Sequence, residues 1–432
     1  MRRTIVLLGL TVLVLAGCGD PPATVEVGGT PPMPVETDGG RDLLFLGAGT
    51  GVRVFDAASS SVTLEAEPAV PSQQGTAVFR AIPRAGGTEV TAFDPESGDA
   101  RWSTLLPEPL ELRIAAQDGS RAVLGPVRPD DGSVAARERT RLTVVGADDV
   151  RSYDVEGNVE PETFSIDGSK LFLIDYLPAL APVEYTLRLL DLETGEVGEV
   201  YDAHGGHREP MRGSARTQVY SPDGTRLYTY YAITGEPYYE HLRGPYYAFV
   251  HVLDLEEGWA HCVVLPKPFG TPGASGATGT MNPGLTVSPD GRHVFVADPN
   301  LGMVGELDTE LLRVTRTADV GRMRPGAAAS AAATGGELVL AFDDDLLAVE
   351  RGGLTVTATL RATQPVGALH VTRARLYVAL ADRVEVYDLA RLGSAGWYER
   401  LDDLVVGSEP VEYFDPSDVP LDATNDVVKC AC

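Results

Sequence analysis

Ser221-Pro222-Asp223-Gly224-Thr225-Arg226-Leu227-Tyr228 returns as Ser288-Pro289-Asp290-Gly291-Arg292-His293-Val294-Phe295 and as Ser165-Ile166-Asp167-Gly168-Ser169-Lys170-Leu171-Phe172. A more divergent copy is Gln117-Asp118-Gly119-Ser120-Arg121-Ala122-Val123-Leu124. Asp-Gly between apolar runs is a hairpin signal, because glycine accepts the positive φ that a tight turn requires. The turn aspartates Asp118, Asp167, Asp223 and Asp290 stand 49, 56 and 67 residues apart by their numbering. A unit recurring at such a spacing points to blades or solenoid coils, so the 432 residues are read as one continuous body.

A second marker works outward from the first. Alternating strands end in an acid at Val52-Arg53-Val54-Phe55-Asp56, Val90-Thr91-Ala92-Phe93-Asp94, Leu187-Arg188-Leu189-Leu190-Asp191, Val250-His251-Val252-Leu253-Asp254, Val304-Gly305-Glu306-Leu307-Asp308 and Val384-Glu385-Val386-Tyr387-Asp388, with fainter versions at Asp149 and Glu350. A polar, Gly-bearing turn such as Leu192-Glu193-Thr194-Gly195-Glu196 follows, then another strand. The unit reads strand, Asp-Gly turn, strand, variable loop, strand ending in an acid, short turn, strand. Helical periodicity is almost absent. The class is all-β, and four antiparallel strands make one propeller blade.

These residues resemble bacterial β-propellers of the WD40-like, YVTN and quinoprotein-repeat types, over about residues 42–414. Ala92-Phe93-Asp94-Pro95-Glu96-Ser97-Gly98-Asp99-Ala100-Arg101-Trp102 is similar to a quinoprotein-type repeat. The acid-ended strands give eight blades, with seven as the alternative. The first unit, residues 42–67, has three clear strands and lacks an innermost one. Pro410-Val411-Glu412-Tyr413-Phe414 is the expected donor of that strand, which would close the ring and remove exposed edges.

The ends of the chain carry an address. Met1-Arg2-Arg3, an apolar run from Ile5 to Ala16, and Leu15-Ala16-Gly17-Cys18 have the basic region, apolar core and small-residue cleavage site of an export signal. The run is shorter than the about 20 apolar residues of a membrane span. It resembles a bacterial lipoprotein signal, which implies cleavage after residue 17, lipid on Cys18 and an extracytoplasmic protein held to a membrane of the cell envelope. Residues 18–41, rich in Pro, Gly and Thr, read as a disordered tether. Residues 415–432 read as an acidic tail. Net charge is −27, and loss of Arg2 and Arg3 makes it more negative. Such a surface repels phosphate backbones, so nucleic acid is not an expected partner. Cys262 with Cys430 or Cys432, or those last two with each other, are the open disulfide pairings in an exported chain.

Strand alternation within a blade puts the connections after strands one and three on one face and those after strands two and four on the other. The first set is uniformly short. The second includes residues 124–141, 176–183, 201–216, 232–249 and 266–283, and long loops on a rigid scaffold commonly bind. The richest are the loop with Tyr238, Tyr239, His241, Arg243, Tyr246 and Tyr247 and the one with His204, His207 and Arg208. Tyrosine and arginine combine contact area with hydrogen-bonding ends, so these residues form the expected ligand-binding set. The alternative is that the tyrosines pack as a long hairpin on their own blade.

Catalytic signatures are missing: there is no Gly-x-Ser-x-Gly, His-Glu-x-x-His, P-loop or Cys-x-x-Cys. Gly47-Ala48-Gly49-Thr50-Gly51 joins two strands and is read as a blade turn rather than a phosphate cradle. His204-Gly205-Gly206-His207 lacks the helical His-x-x-x-His spacing, and Cys430-Ala431-Cys432 the usual zinc spacing, so neither a metal nor a cofactor is expected. The expected function is non-catalytic binding of a protein or envelope ligand. The competing reading is a quinoprotein-like dehydrogenase, suggested by the repeat at Trp102. Sequence leaves the oligomeric state open.

Overall fold

The computed structural model describes residues 42–48, 51–129, 135–182, 184–205, 211, 214–234, 246–270, 283–372, 374–392 and 397–405. Among these, every regular element is a β-strand, and the strands form eight sheets. In chain order the blades span residues 43–66, 69–106, 110–156, 158–199, 201–264, 284–319, 329–361 and 368–405. Six have four antiparallel strands in simple order. Blade 1 has three, Leu43–Ala48, Gly51–Asp56 and Ser61–Ala66, and blade 5 has five. The chain is an eight-bladed β-propeller. The segment expected to complete blade 1, residues 410–414, lies outside the described residues, as do residues 1–41 with Cys18, and Cys430 and Cys432.

The repeated motifs have identifiable jobs. In Ser-x-Asp-Gly, the serine hydroxyl donates to the aspartate two residues on and accepts the amide five residues on. Ser221 bonds Asp223 at 2.6 Å and Arg226 N at 2.9 Å, and Ser288 does the same with Asp290 and His293 at 2.6 and 3.0 Å. Gly224 and Gly291 take φ of 72° and 71°, the left-handed conformation a Cβ disfavours. The acid ending each third strand caps the following turn. Asp191 accepts from Glu193 N and Thr194 N, Asp254 from Glu256 N and Glu257 N, and Asp308 from Glu310 N and Leu311 N, all at 2.8–3.1 Å. The two kinds of turn touch: Leu192 N donates to Ser169 O, Leu255 N to Thr225 O and Thr309 N to Arg292 O. Both therefore lie on one face. Leu43–Ala48 and Gly51–Asp56 pair directly, with Ala48 opposite Gly51; residues 49–50 of the glycine-rich stretch lie outside the described residues.

Packing follows the ring. Eight apolar clusters form, and each straddles one seam between adjacent blades. Leu44, Leu46 and Phe55 of blade 1 share a cluster with Tyr377, Val384 and Leu404 of blade 8, so ring closure is a packed seam like the others. Middle strands are covered on both sides: Lys170–Leu177 is buried along its interior, whereas the outer strands Arg313–Asp319 and Thr355–Arg361 alternate between exposed and half-buried. Phe79 is fully buried in the seam between blades 2 and 3, Phe172 and Phe249 in that between blades 4 and 5, and Phe295 and Phe342 in that between blades 6 and 7, and truncating any of them to alanine would cost about 3–5 kcal/mol. Cys262 is buried in the seam between blades 4 and 5.

Candidate functional site

The four longest connections join strand ends on the face opposite the short turns, within blades 3 and 5 and at the entries to blades 5 and 6. Residues 127–138 leave and re-enter blade 3, residues 178–183 blade 4, and residues 235–245 blade 5. Residues 203–213 and 265–283 lead into blades 5 and 6. The equivalent connections within blades 6, 7 and 8 are residues 299–302, 343–344 and 380–382, and those leading into blades 7 and 8 are residues 320–328 and 362–367. The expected loop 232–249 is shorter than its sequence suggested, because Arg226–Thr234 and Tyr246–Asp254 extend the hairpin, with Thr234 opposite Tyr246 and Ile233 opposite Tyr247.

Beneath this sector the innermost strands of blades 3, 4 and 5 carry a polar network. Arg113, on Leu110–Ala115, donates through Nε to Glu160 on Asn158–Phe164 at 2.9 Å. Arg137, from the long connection of blade 3, reaches the other oxygen of Glu160 at 2.5 Å and Asn158 Oδ1 at 3.1 Å. The Asn158 amide donates to Ala135 O at 2.7 Å and Ala179 O at 3.1 Å, tying the connections of blades 3 and 4 to one strand. Burial acts to raise the Glu160 carboxyl, but Arg113, Arg128 and Arg137 hold it below its ordinary value. Two residues on, Glu162 has no such cation. Burial pushes it up to about 7, against the Gln218 amide of blade 5, which donates to it at 2.6 Å.

The sequence reading missed this network. Its signal was available: Glu160 and Glu162 alternate along a strand, and carboxylates at period two inside an otherwise buried segment mean that one face of the strand is polar. Their partners Arg113 and Gln218 lie 47 and 56 residues away in sequence, which no local pattern joins.

Of the expected binding residues, Tyr238, Tyr239, His241, Arg243, His207 and Arg208 lie outside the described residues. Tyr246 and Tyr247 open the strand Tyr246–Asp254 of blade 5. In the seam beside that strand, Tyr231 stacks on Phe249 at 5.0 Å and on Tyr185 at 6.2 Å between ring centres. His204 follows the two-residue strand Tyr201–Asp202 at the outer edge of blade 5 and meets Asp202 and His261. Trp102 lies on the outer strand of blade 2, edge-on to Phe79 at 5.9 Å, where it packs against the seam between blades 2 and 3.

No protein-family model and no curated protein matches the chain. Solved structures do share its architecture. AztD from Citrobacter koseri is 13% identical, with a TM-score of 0.49 over 86% of this chain and 96% of that one. Hydrazine synthase from Kuenenia stuttgartiensis is 16% identical, with a TM-score of 0.42 over 81% and 99%. BamB from Moraxella catarrhalis is 14% identical, with a TM-score of 0.40 over 78% and 92%. At these identities the likeness is one of fold, and fold does not fix function.

Proposed function

We propose that the chain is a lipid-anchored, extracytoplasmic propeller that binds a protein or envelope ligand through the long-connection face of blades 3 to 5. The observation that carries this reading is the one-sided concentration of long connections above a braced polar network. Connections of this length exceed what joining neighbouring strands requires, and Arg137 and Asn158 spend buried hydrogen bonds on fixing two of them. Tyr238, Tyr239, His241, Arg243, Tyr246, Tyr247, His204, His207 and Arg208 are the contact set proposed from the sequence, and Cys18 is the proposed lipid attachment site.

Crosslinking and pull-down from the native envelope, with wild type beside Tyr238→Ala and Tyr239→Ala, tests the binding face. The expected result is one saturable partner whose capture weakens by about 2 kcal/mol for a hot-spot tyrosine while thermal melts stay unchanged. A large drop in melting temperature with capture retained would reassign the tyrosines to packing. The anchor has its own test, fractionation and N-terminal mass spectrometry of wild type and Cys18→Ala. A single acyl chain binds only marginally, so a multiply acylated Cys18 is expected; an unmodified Cys18 in mature protein would remove the anchor. Adding quinone with calcium and finding a saturable absorbance change and alcohol oxidation would overturn the non-catalytic reading.

A further inference from the structure

The chain enters blade 5 by an unusual route. Tyr201–Asp202 lies along the outside of the outer strand Trp259–Val264, with Tyr201 opposite Trp259 and Asp202 opposite Ala260. It is the one parallel pairing among the described strands. Ala203 N donates to Ala260 O at 3.2 Å, and the turn is held by Gly205 N to Asp202 O and His204 N to Asp202 Oδ1, both 2.9 Å. The result is a convergence of three side chains from two segments. Asp202 Oδ2 stands 3.0 Å from His261 Nδ1, and Oδ1 stands 3.3 Å from His204 Nδ1. The two imidazole rings meet edge to face with centres 4.9 Å apart. One donor atom from each residue fits within a span of 4.8 Å.

We propose that Asp202, His204 and His261 bind a borderline divalent cation, zinc above all, with a fourth position open on the solvent side. Around a tetrahedral zinc with ligands at about 2.1 Å, neighbouring donor atoms stand about 3.4 Å apart. His261 and His204 stand 3.0 and 3.3 Å from the two different oxygens of Asp202, and one donor atom from each residue lies within 4.8 Å of the others, so an ion enters once the side chains rotate to close that span. Two imidazoles and one carboxylate suit zinc and its transition-metal neighbours rather than calcium or magnesium, which take oxygen donors. Neutral imidazole carries one ring proton, and placing it on Nε2 turns the Nδ1 lone pair toward the carboxylate side, where the ion sits. Asp202 and His261 are 22% and 15% exposed in their side chains and His204 71%, so two ligands are held by the blade and the third faces solvent. Three protein ligands with one open side is the arrangement of exchangeable or catalytic zinc, not of a closed structural site. The acidic chain, at −27, favours a cation throughout. Once bound, the ion ties the connection that rises from blade 4 toward blade 5 onto the outer strand of blade 5.

The test uses the full chain, stripped with a chelator and titrated with Zn2+ against a chromophoric competitor. Wild type is expected to show one saturable equivalent that His204→Ala and His261→Ala each weaken by at least about 100-fold, since even the outer partners of metal ligands are worth 10–100-fold. Co2+ in the same site should give the intense visible absorption of four-coordinate cobalt, lost in both variants. Zinc should raise the melting temperature of wild type and leave that of the variants unmoved. His204 is exposed and its removal leaves the blade intact, so that variant decides the matter if His261→Ala fails to fold. Absence of saturable zinc binding overturns the proposal. So does equal affinity in wild type and His204→Ala, which would assign the metal to the C-terminal cysteines or the acidic surface.

Discussion

The hydroxyl of Tyr377 in blade 8 donates to the carboxylate of Asp42 at the entry to blade 1, joining residues 335 positions apart. Both are buried, and Arg375 stands 3.9 Å from the same carboxylate. Burial, and then the Asp42 carboxylate, push the Tyr377 phenol far above its ordinary value, so it stays a donor at any physiological pH. The bond closes the propeller at the seam where blade 1 lacks a described innermost strand. Tyr377→Phe is expected to cost about 1–3 kcal/mol, the range for losing a buried hydrogen bond to a charged acceptor. Urea denaturation against wild type checks this, and an unchanged midpoint would mean that apolar packing alone closes the ring.

Arg113→Ala should be more damaging. It leaves Glu160 buried with one fewer cation, and breaking a buried pair costs about 3–5 kcal/mol. Arg113→Lys should not rescue, because Arg113 also donates to Pro126 O from a second guanidinium nitrogen and a single ammonium does not reproduce that fork. Denaturation midpoints of both variants are the measurement, and recovery with lysine would show that charge alone matters.

Glu162 gives the pH dependence. Its folded carboxyl titrates near 7 against 4.5 for an ordinary glutamate, so the folded state holds this proton more tightly than the unfolded chain. Its contribution is full below about pH 4.5 and declines as pH rises to about 7, because above that the fold must bury an ionised group. Glu162→Gln keeps the acceptor for Gln218 and removes the titration. The variant should flatten that part of the pH profile and be more stable than wild type above pH 7, by an amount on the order of 3 kcal/mol at most. Thermal melts at about pH 5 and about pH 8 test it; a wild-type advantage at the higher pH would contradict it.

Two turn glycines should differ. At Gly168, φ is +67° and a Cβ would meet open space, so alanine pays the left-handed cost alone, about 1–2 kcal/mol. At Gly98, φ is +75° and a Cβ would stand 2.2 Å from the Thr63 carbonyl oxygen of blade 1. That turn is also bonded to blade 1 through Thr63 Oγ1 and Pro95 O at 2.6 Å, so it has no room to retreat. Gly98→Ala should lower the melting temperature well beyond Gly168→Ala, and equal losses would show that the seam between blades 1 and 2 yields.

How legible the molecule was depends on the range of the interaction. Ser221, Asp223 and Gly224 bond within a span of six residues, and Asp254 caps amides two and three positions on. Such contacts repeat wherever the local sequence repeats. From them the all-β class, the four-stranded unit, the count of eight and the division into a short-turn face and a long-connection face followed, and so did the three-stranded first blade. The loop boundaries were less legible, since Tyr246 and Tyr247 suit a strand and a binding loop equally well.

What the sequence by itself determined is therefore the repeating unit and the number of its copies, because turn chemistry and strand alternation are local and period-bound. Which side chains meet was decided only by the tertiary structure. Arg113 finds Glu160, Gln218 finds Glu162 and His261 finds Asp202 across gaps of 47, 56 and 59 residues. Those gaps are set by connection lengths that vary from blade to blade, so no period in the chain encodes them. The ring imposes the meeting by packing the innermost strands of neighbouring blades side by side and by laying the strand that leaves blade 4 along the outer edge of blade 5.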